Sequence, residues 1–146
     1  MTHHRIDYPT FSQIAPTANS ALHALDKAVD DAGLDKKIME LVKLRASQIN
    51  NCLFCIQFHS NMANKIGIHP PKLAQLANWQ EAQIFSEQER AALEWTEQLT
   101  HVAQHDVSDS LYRKVREHFT AAEIVFLSIA IGTINHWNRL GVALRF

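Results

Sequence analysis

The sequence predicts an all-α protein of about six or seven helices in one domain spanning residues 1–146. Three observations carry that reading. Apolar residues recur at steps of three and four along nearly every segment, and no alternating strand pattern competes. Four glycines and four prolines are too few for a β-rich chain with many tight turns. No Pro/Gly/Ser-rich linker divides the 146 residues, and a chain of this length buries about 70% of its unfolded surface.

The elements follow in order. Residues 1–15 read as an N-terminal arm, either loose or packed across a neighbouring subunit. From Thr17 to Ala32, Ala18, Leu22, Leu25 and Val29 fall at helical spacing, and Gly33 stops the helix. Asp35 is placed to cap the next helix, which runs to Ile49 with Ile38, Leu41, Val42, Ala46 and Ile49 in one stripe; Leu34 and Met39 suit a hydrophobic staple. Asn51 is the expected cap of a helix that ends at Gly67. Pro70-Pro71 opens a short helix through about Asn78. Ser86 with Glu89, and Thr120 with Glu123, form capping-box patterns, and Ser108 precedes a helix between them. After Ser86, Ala92, Trp95, Leu99 and Val102 share a face. The last helix, to about Leu144, is the most apolar and is expected to be central.

Composition excludes several classes of function. Hydrophobic residues make up 47% and charged residues 20%, as in ordinary soluble globular proteins. A net charge of −1 offers no electrostatic case for nucleic acid. The longest apolar stretch, Ile124–Ile134, is interrupted by Ser128, Gly132 and Thr133, short of the roughly 20 residues that a membrane span needs. The N-terminus lacks a basic flank followed by an apolar core, so no signal peptide is expected and the default address is cytoplasmic. In that reducing compartment a purely structural disulfide is disfavoured.

The chain's two cysteines, Cys52 and Cys55, stand at the start of a core helix. On a helix, Cys52, Cys55, Ile56, His59, Met62, Ala63 and Ile66 share one face. Cys55 and His59 are i,i+4 neighbours and can touch. A thiol must ionise to attack, and its free pKa is about 8.5; the unpaired N–H groups of a first helical turn and a nearby imidazole both favour the anion. Cys52 is nearer the positive end of the helix and Cys55 nearer His59, so the residues alone leave open which one attacks. Two further readings stand beside redox chemistry. Buried free cysteines are common packing residues, and a CxxC with His59 supplies three zinc ligands, to which His101 or His105 would add a fourth. Asn135, His136, Trp137 and Arg139 near the end of the last helix either line a pocket or satisfy one another, and Trp79, Trp95 and Trp137 read as packing residues.

Glu40, then eleven residues, then Cys52-Leu53-Phe54-Cys55, then three residues and His59, resembles the core motif of the AhpD-like alkylhydroperoxidases in the carboxymuconolactone decarboxylase superfamily. The resemblance implies an all-helical AhpD-like fold and a homo-oligomer, trimeric or hexameric. It implies that Cys55 is peroxidatic, that His59 helps remove its proton, that Glu40 is the distal base, and that Cys52 is the resolving thiol. Some relatives carry a second histidine just before the peroxidatic cysteine, where this chain has Phe54. Without the resemblance, Glu40 reads as an exposed glutamate favoured by the dipole near a helix start.

The implied chemistry is a peroxidase cycle in antioxidant defence. Cys55 is oxidised by a hydroperoxide to a sulfenic acid, Cys52 condenses with it to a disulfide, and an external dithiol, lipoyl-type in relatives, restores both thiols. This cycle needs no metal, flavin or nucleotide, and the chain has no Gly-rich phosphate loop. The alternatives are a lactone-acid decarboxylase, which has no use for a redox pair, and a non-catalytic redox sensor or zinc-stabilised module.

Overall fold

A computed structural model describes residues 3–146. Its elements are α1 (Tyr8–Ile14), α2 (Pro16–Asp31), α3 (Lys36–Ile49), α4 (Leu53–Lys65), α5 (Pro70–Ala74), a 3-10 turn (Leu76–Asn78), α6 (Glu87–Thr100), α7 (Asp109–Arg116) and α8 (Ala121–Leu144). Among the described residues there is no strand.

The start signals form as their chemistry demands. Asp35 accepts from the backbone N–H of Lys37 and Ile38 at 2.8 and 3.1 Å. Both capping boxes close: Ser86 with Glu89, and Thr120 with Glu123. Gly33 and Gly67 take φ of +81° and +84°, the left-handed stop that glycine adopts without steric cost.

Three expectations change. Eight α-helices replace six or seven, because part of the expected arm is itself helical. Asp7 caps α1 by accepting from Thr10 N–H, and Phe11 is the one residue of α1 that is buried. A seven-residue helix with one apolar anchor leaves little periodic trace. The residues before it are tied down too, since the N–H groups of Arg5 and Ile6 donate to the Leu144 carbonyl at 2.9 and 3.0 Å. On α2 the buried stripe is Leu22 and Val29, while Leu25 is 44% exposed. Val102 lies beyond the end of α6 and is exposed.

α3 packs against α4, α6 and α8, and α8 against α2, α3, α4, α6 and α7, so these two helices share the centre. One apolar cluster joins α3, α6, α7 and α8 around Val42, Ala92, Val115, Leu127 and Ile131. A second joins Leu41 and Leu44 to Leu76, Trp79 and Leu93. No single helix among the described residues is long and apolar enough to cross a membrane; α7 and α8 pass that test only as a pair bent by 115°.

Candidate active site

The site is built on the reversal between α3 and α4. α3 ends in a Schellman motif: Asn51 N–H donates to the Gln48 carbonyl at 3.1 Å and Cys52 N–H to the Ser47 carbonyl at 3.0 Å. Asn51 has φ 53°, the left-handed conformation that asparagine tolerates better than most side chains. Asn51 is therefore not the cap of α4. The cap is Cys52, whose sulfur accepts from the Cys55 N–H at 3.4 Å. The chain turns from one helix into the next without a spare residue, and the first cysteine occupies the position where unpaired amide donors converge.

Buried amides lock this reversal to α8. Asn50 Nδ2 donates to the side-chain oxygens of Asn135 and Asn138, each at 2.9 Å, and Asn138 Nδ2 donates to Ser47 Oγ at 3.0 Å. Asn135 also donates to the Ile131 carbonyl at 2.9 Å. Of the polar residues near the end of α8, these two thus satisfy a network, Arg139 joins it from the surface by donating to the Asn135 carbonyl at 2.9 Å, and His136 is exposed.

Cys52 and Cys55 are 1% and 4% exposed, and their sulfurs are paired as a disulfide across a Cα–Cα distance of 5.3 Å. The backbone of Gly141 backs the pair: a Cβ there would lie 2.5 Å from the Cys52 sulfur and 3.5 Å from that of Cys55. Gly141→Ala is expected to lower stability by about 1–3 kcal/mol through overpacking, against a gain of about 1 kcal/mol in helix propensity. Gly132 in the same helix has open space around its missing Cβ, so Gly132→Ala shows the propensity gain alone, about 1 kcal/mol. Urea midpoints of the two oxidised variants check the pair of expectations, and equal midpoints would refute the close approach at Gly141.

His59 lies one turn after Cys55. Its Nδ1 is 2.8 Å from Glu40 Oε2, and Lys43 Nζ stands 3.8 Å from the other oxygen, Oε1. Glu40 is 8% exposed, not the solvated residue its position off the apolar stripe suggests. α3 packs against α4 as well as α6 and α8, so a second face is buried, and there the carboxylate finds an imidazole and an ammonium as partners.

A cavity of about 520 Å³ opens beside these groups. Cys55, His59 and Glu40 line it and Cys52 does not. Much of the wall is aromatic. Tyr8, Phe54, Phe58, Trp137 and Phe146 all face it, with Phe54 and Phe146 5.4 Å apart edge to face and Tyr8 stacked 6.1 Å from Phe54. Trp137 is thus a cavity residue, whereas Trp79 and Trp95 are buried and bond to Glu97 and Ser128. Phe54, where some relatives have a histidine, brings an apolar surface and no exchangeable side-chain proton.

Asp26 of α2 also lines the cavity, and sequence reasoning missed it. Burial raises its carboxyl above the usual range, opposed by Lys43, by the Trp137 indole, and by His23 and His59. A signal was present. Leu22, Asp26 and Val29 are spaced four and three apart, which puts an acid inside the stripe where Leu25 was expected. His101 and His105 do not line the cavity; their rings are 6.3 Å apart at the end of α6. Among the described residues, no three or more His, Cys, Asp or Glu side chains converge as a metal site would require.

The chain is similar to known proteins over most of its length. Residues 16–98 match the model of the carboxymuconolactone decarboxylase family. The chain is 35% identical over 135 residues to YdfG, an uncharacterised protein of Bacillus subtilis (strain 168), covering 92% of each. It superimposes with a TM-score of 0.92 on ATU0492 from Agrobacterium tumefaciens, at 36% identity over 98% of this chain and 96% of that one. That protein is of unknown function, and its description suggests the antioxidant defence protein AhpD. An uncharacterised peroxidase-related protein from Ralstonia eutropha JMP134, described as an alkylhydroperoxidase AhpD core, shares the fold with a TM-score of 0.82, at 23% identity over 93% and 73% of the two chains. An all-helical bundle with a CxxC pair opening α4, matched over more than half its length by one family, makes this chain an AhpD-like member of the carboxymuconolactone decarboxylase family.

Proposed function

We propose that the chain is a thiol-dependent peroxidase that reduces organic hydroperoxides. One observation carries the reading: two sulfurs within bonding reach, one of them lining an apolar cavity next to a His59–Glu40 pair. A cavity of about 520 Å³ with aromatic walls suits a carbon-bearing peroxide better than hydrogen peroxide, because the walls reward apolar surface.

In this reading the reduced pair starts the cycle. His59, oriented by Glu40, takes the Cys55 proton, and the thiolate attacks the terminal peroxide oxygen. Cys55 becomes a sulfenic acid and the alcohol departs. Cys52 then attacks the Cys55 sulfur, water leaves, and the disulfide forms. An external dithiol, of lipoyl type by analogy with AhpD-like proteins, regenerates both thiols by exchange. Access supports this order of attack, since the cavity is lined by Cys55 and not by Cys52. The same proposal includes a role in cytoplasmic antioxidant defence and a homo-oligomer, trimeric or hexameric. Leu53 and Phe58 on α4, 65% and 53% exposed, are apolar surface for such a contact.

The test is turnover of tert-butyl hydroperoxide with dihydrolipoamide as reductant, read as tert-butanol formed per chain. Repeated turnovers are expected. Reduced protein that consumes no peroxide, even stoichiometrically, would refute the proposal.

A further inference from the structure

We propose that Asp26 is the acid that protonates the oxygen leaving the peroxide as the O–O bond breaks. This assignment rests on the peroxidase reading above. Asp26 lines the same cavity as Cys55, from a different helix than the groups that prepare the thiolate. Those groups are already engaged: Glu40 holds His59 on one oxygen and faces Lys43 with the other. Asp26 takes part in no salt bridge among the described residues. Its carboxyl group is therefore not neutralised by a paired cation, and Trp137, whose indole favours the ionised form, lines the same cavity.

The titratable and charged groups that share the cavity with Asp26 are Tyr8 on α1, His23 and Asp30 on α2, Lys36, Glu40 and Lys43 on α3, and His59 on α4, and α8 adds the Trp137 indole. Lys43, His23 and His59 favour the carboxylate, but burial outweighs them, so the acid form persists to higher pH than for an ordinary carboxyl. A carboxyl whose acid form is favoured by burial, on the wall of the cavity that also reaches Cys55, is suited to donate a proton there.

The step balances. The Cys55 thiolate gives an electron pair to the terminal peroxide oxygen, an S–O bond forms and the O–O bond breaks. Sulfur is oxidised by two electrons and the peroxide is reduced. The departing alkoxide takes the Asp26 proton and leaves as alcohol. The proton removed from the Cys55 thiol, carried by His59, returns through solvent to Asp26.

The experiment compares two peroxides whose leaving groups differ in basicity, using the reduced full-length protein in single-turnover stopped flow. tert-Butyl hydroperoxide expels a strongly basic alkoxide and needs an acid; peracetic acid expels acetate and does not. Asp26→Asn is expected to slow the first reaction about 10²-fold or more and to leave the second within about threefold. Asp26→Glu restores part of the tert-butyl hydroperoxide rate. With the wild type that rate falls as pH rises through the Asp26 ionisation, and with Asp26→Asn the falling limb is absent. An unchanged tert-butyl hydroperoxide rate, or equal slowing with both peroxides, would overturn the assignment, the latter marking a merely structural role. Should D26N not fold, the wild-type pH profiles decide: a falling limb with tert-butyl hydroperoxide alone supports the acid, and the same profile with both peroxides overturns it. Failure of the wild type to react with either peroxide would sink the peroxidase reading itself, and this assignment with it.

Discussion

Cys55→Ser is expected to reduce peroxide turnover to background, and Cys52→Ser to leave one oxidative event per chain and no more. The first substitution removes the nucleophile, since a serine hydroxyl does not reach its anion at neutral pH and is a poor nucleophile without it. The second leaves the nucleophile in place and removes its resolving partner. Burial and access give the expectation its direction. Cys55 borders the cavity, while Cys52 is 1% exposed and caps α4 against the backbone of α8. After one equivalent of tert-butyl hydroperoxide, mass spectrometry of the trapped Cys52→Ser protein should find a sulfenic acid on Cys55. The mirror experiment on Cys55→Ser should find Cys52 unmodified. A sulfenic acid on Cys52 in that variant would reverse the order of attack, and rapid repeated turnover by either variant would remove the disulfide from the cycle.

His59→Asn is expected to slow Cys55 oxidation about 10²–10⁴-fold near neutral pH, the usual worth of a positioned general base. The defect should shrink as pH rises past about 8.5, where an unassisted thiol ionises by itself. Glu40→Gln should give a smaller loss of the same kind, because it keeps the shape and a hydrogen bond to the imidazole but removes the charge that steadies the imidazolium. Stopped-flow rate constants across the pH range check both variants. An identical defect at every pH would make His59 a structural residue, and no defect would remove it from the reaction.

Much of the helical order was legible in the sequence because its signals are local. Capping boxes at Ser86 and Thr120, the Asp35 cap and the glycine stops act within a few residues, and each formed. The CxxC with His59 was legible for the same reason, since one helix brings those groups together through steps of three and four. The misses also have local causes. α1 has a single buried anchor, Phe11, so no period announces it. Asn51 is a common capping residue type, but here it takes the left-handed turn and the cap passes to Cys52. Leu25 and Asp26 are adjacent, and apolarity favoured the leucine although the stripe runs through the acid.

By itself, the sequence determined the helical stretches from α2 to α8, where most of them start and stop, and that two sulfurs and an imidazole share the opening turns of α4. Only the tertiary structure decided that Glu40 is buried and meets His59 from another helix, that Asp26, Trp137 and Phe146 close one cavity around Cys55, and that Cys52 lies outside it. The physical reason is that periodicity encodes which side of a helix turns inward, whereas the partners it finds there depend on how the helices pack. A carboxylate on a second face reads as solvated until another helix covers it with an imidazole and an ammonium group.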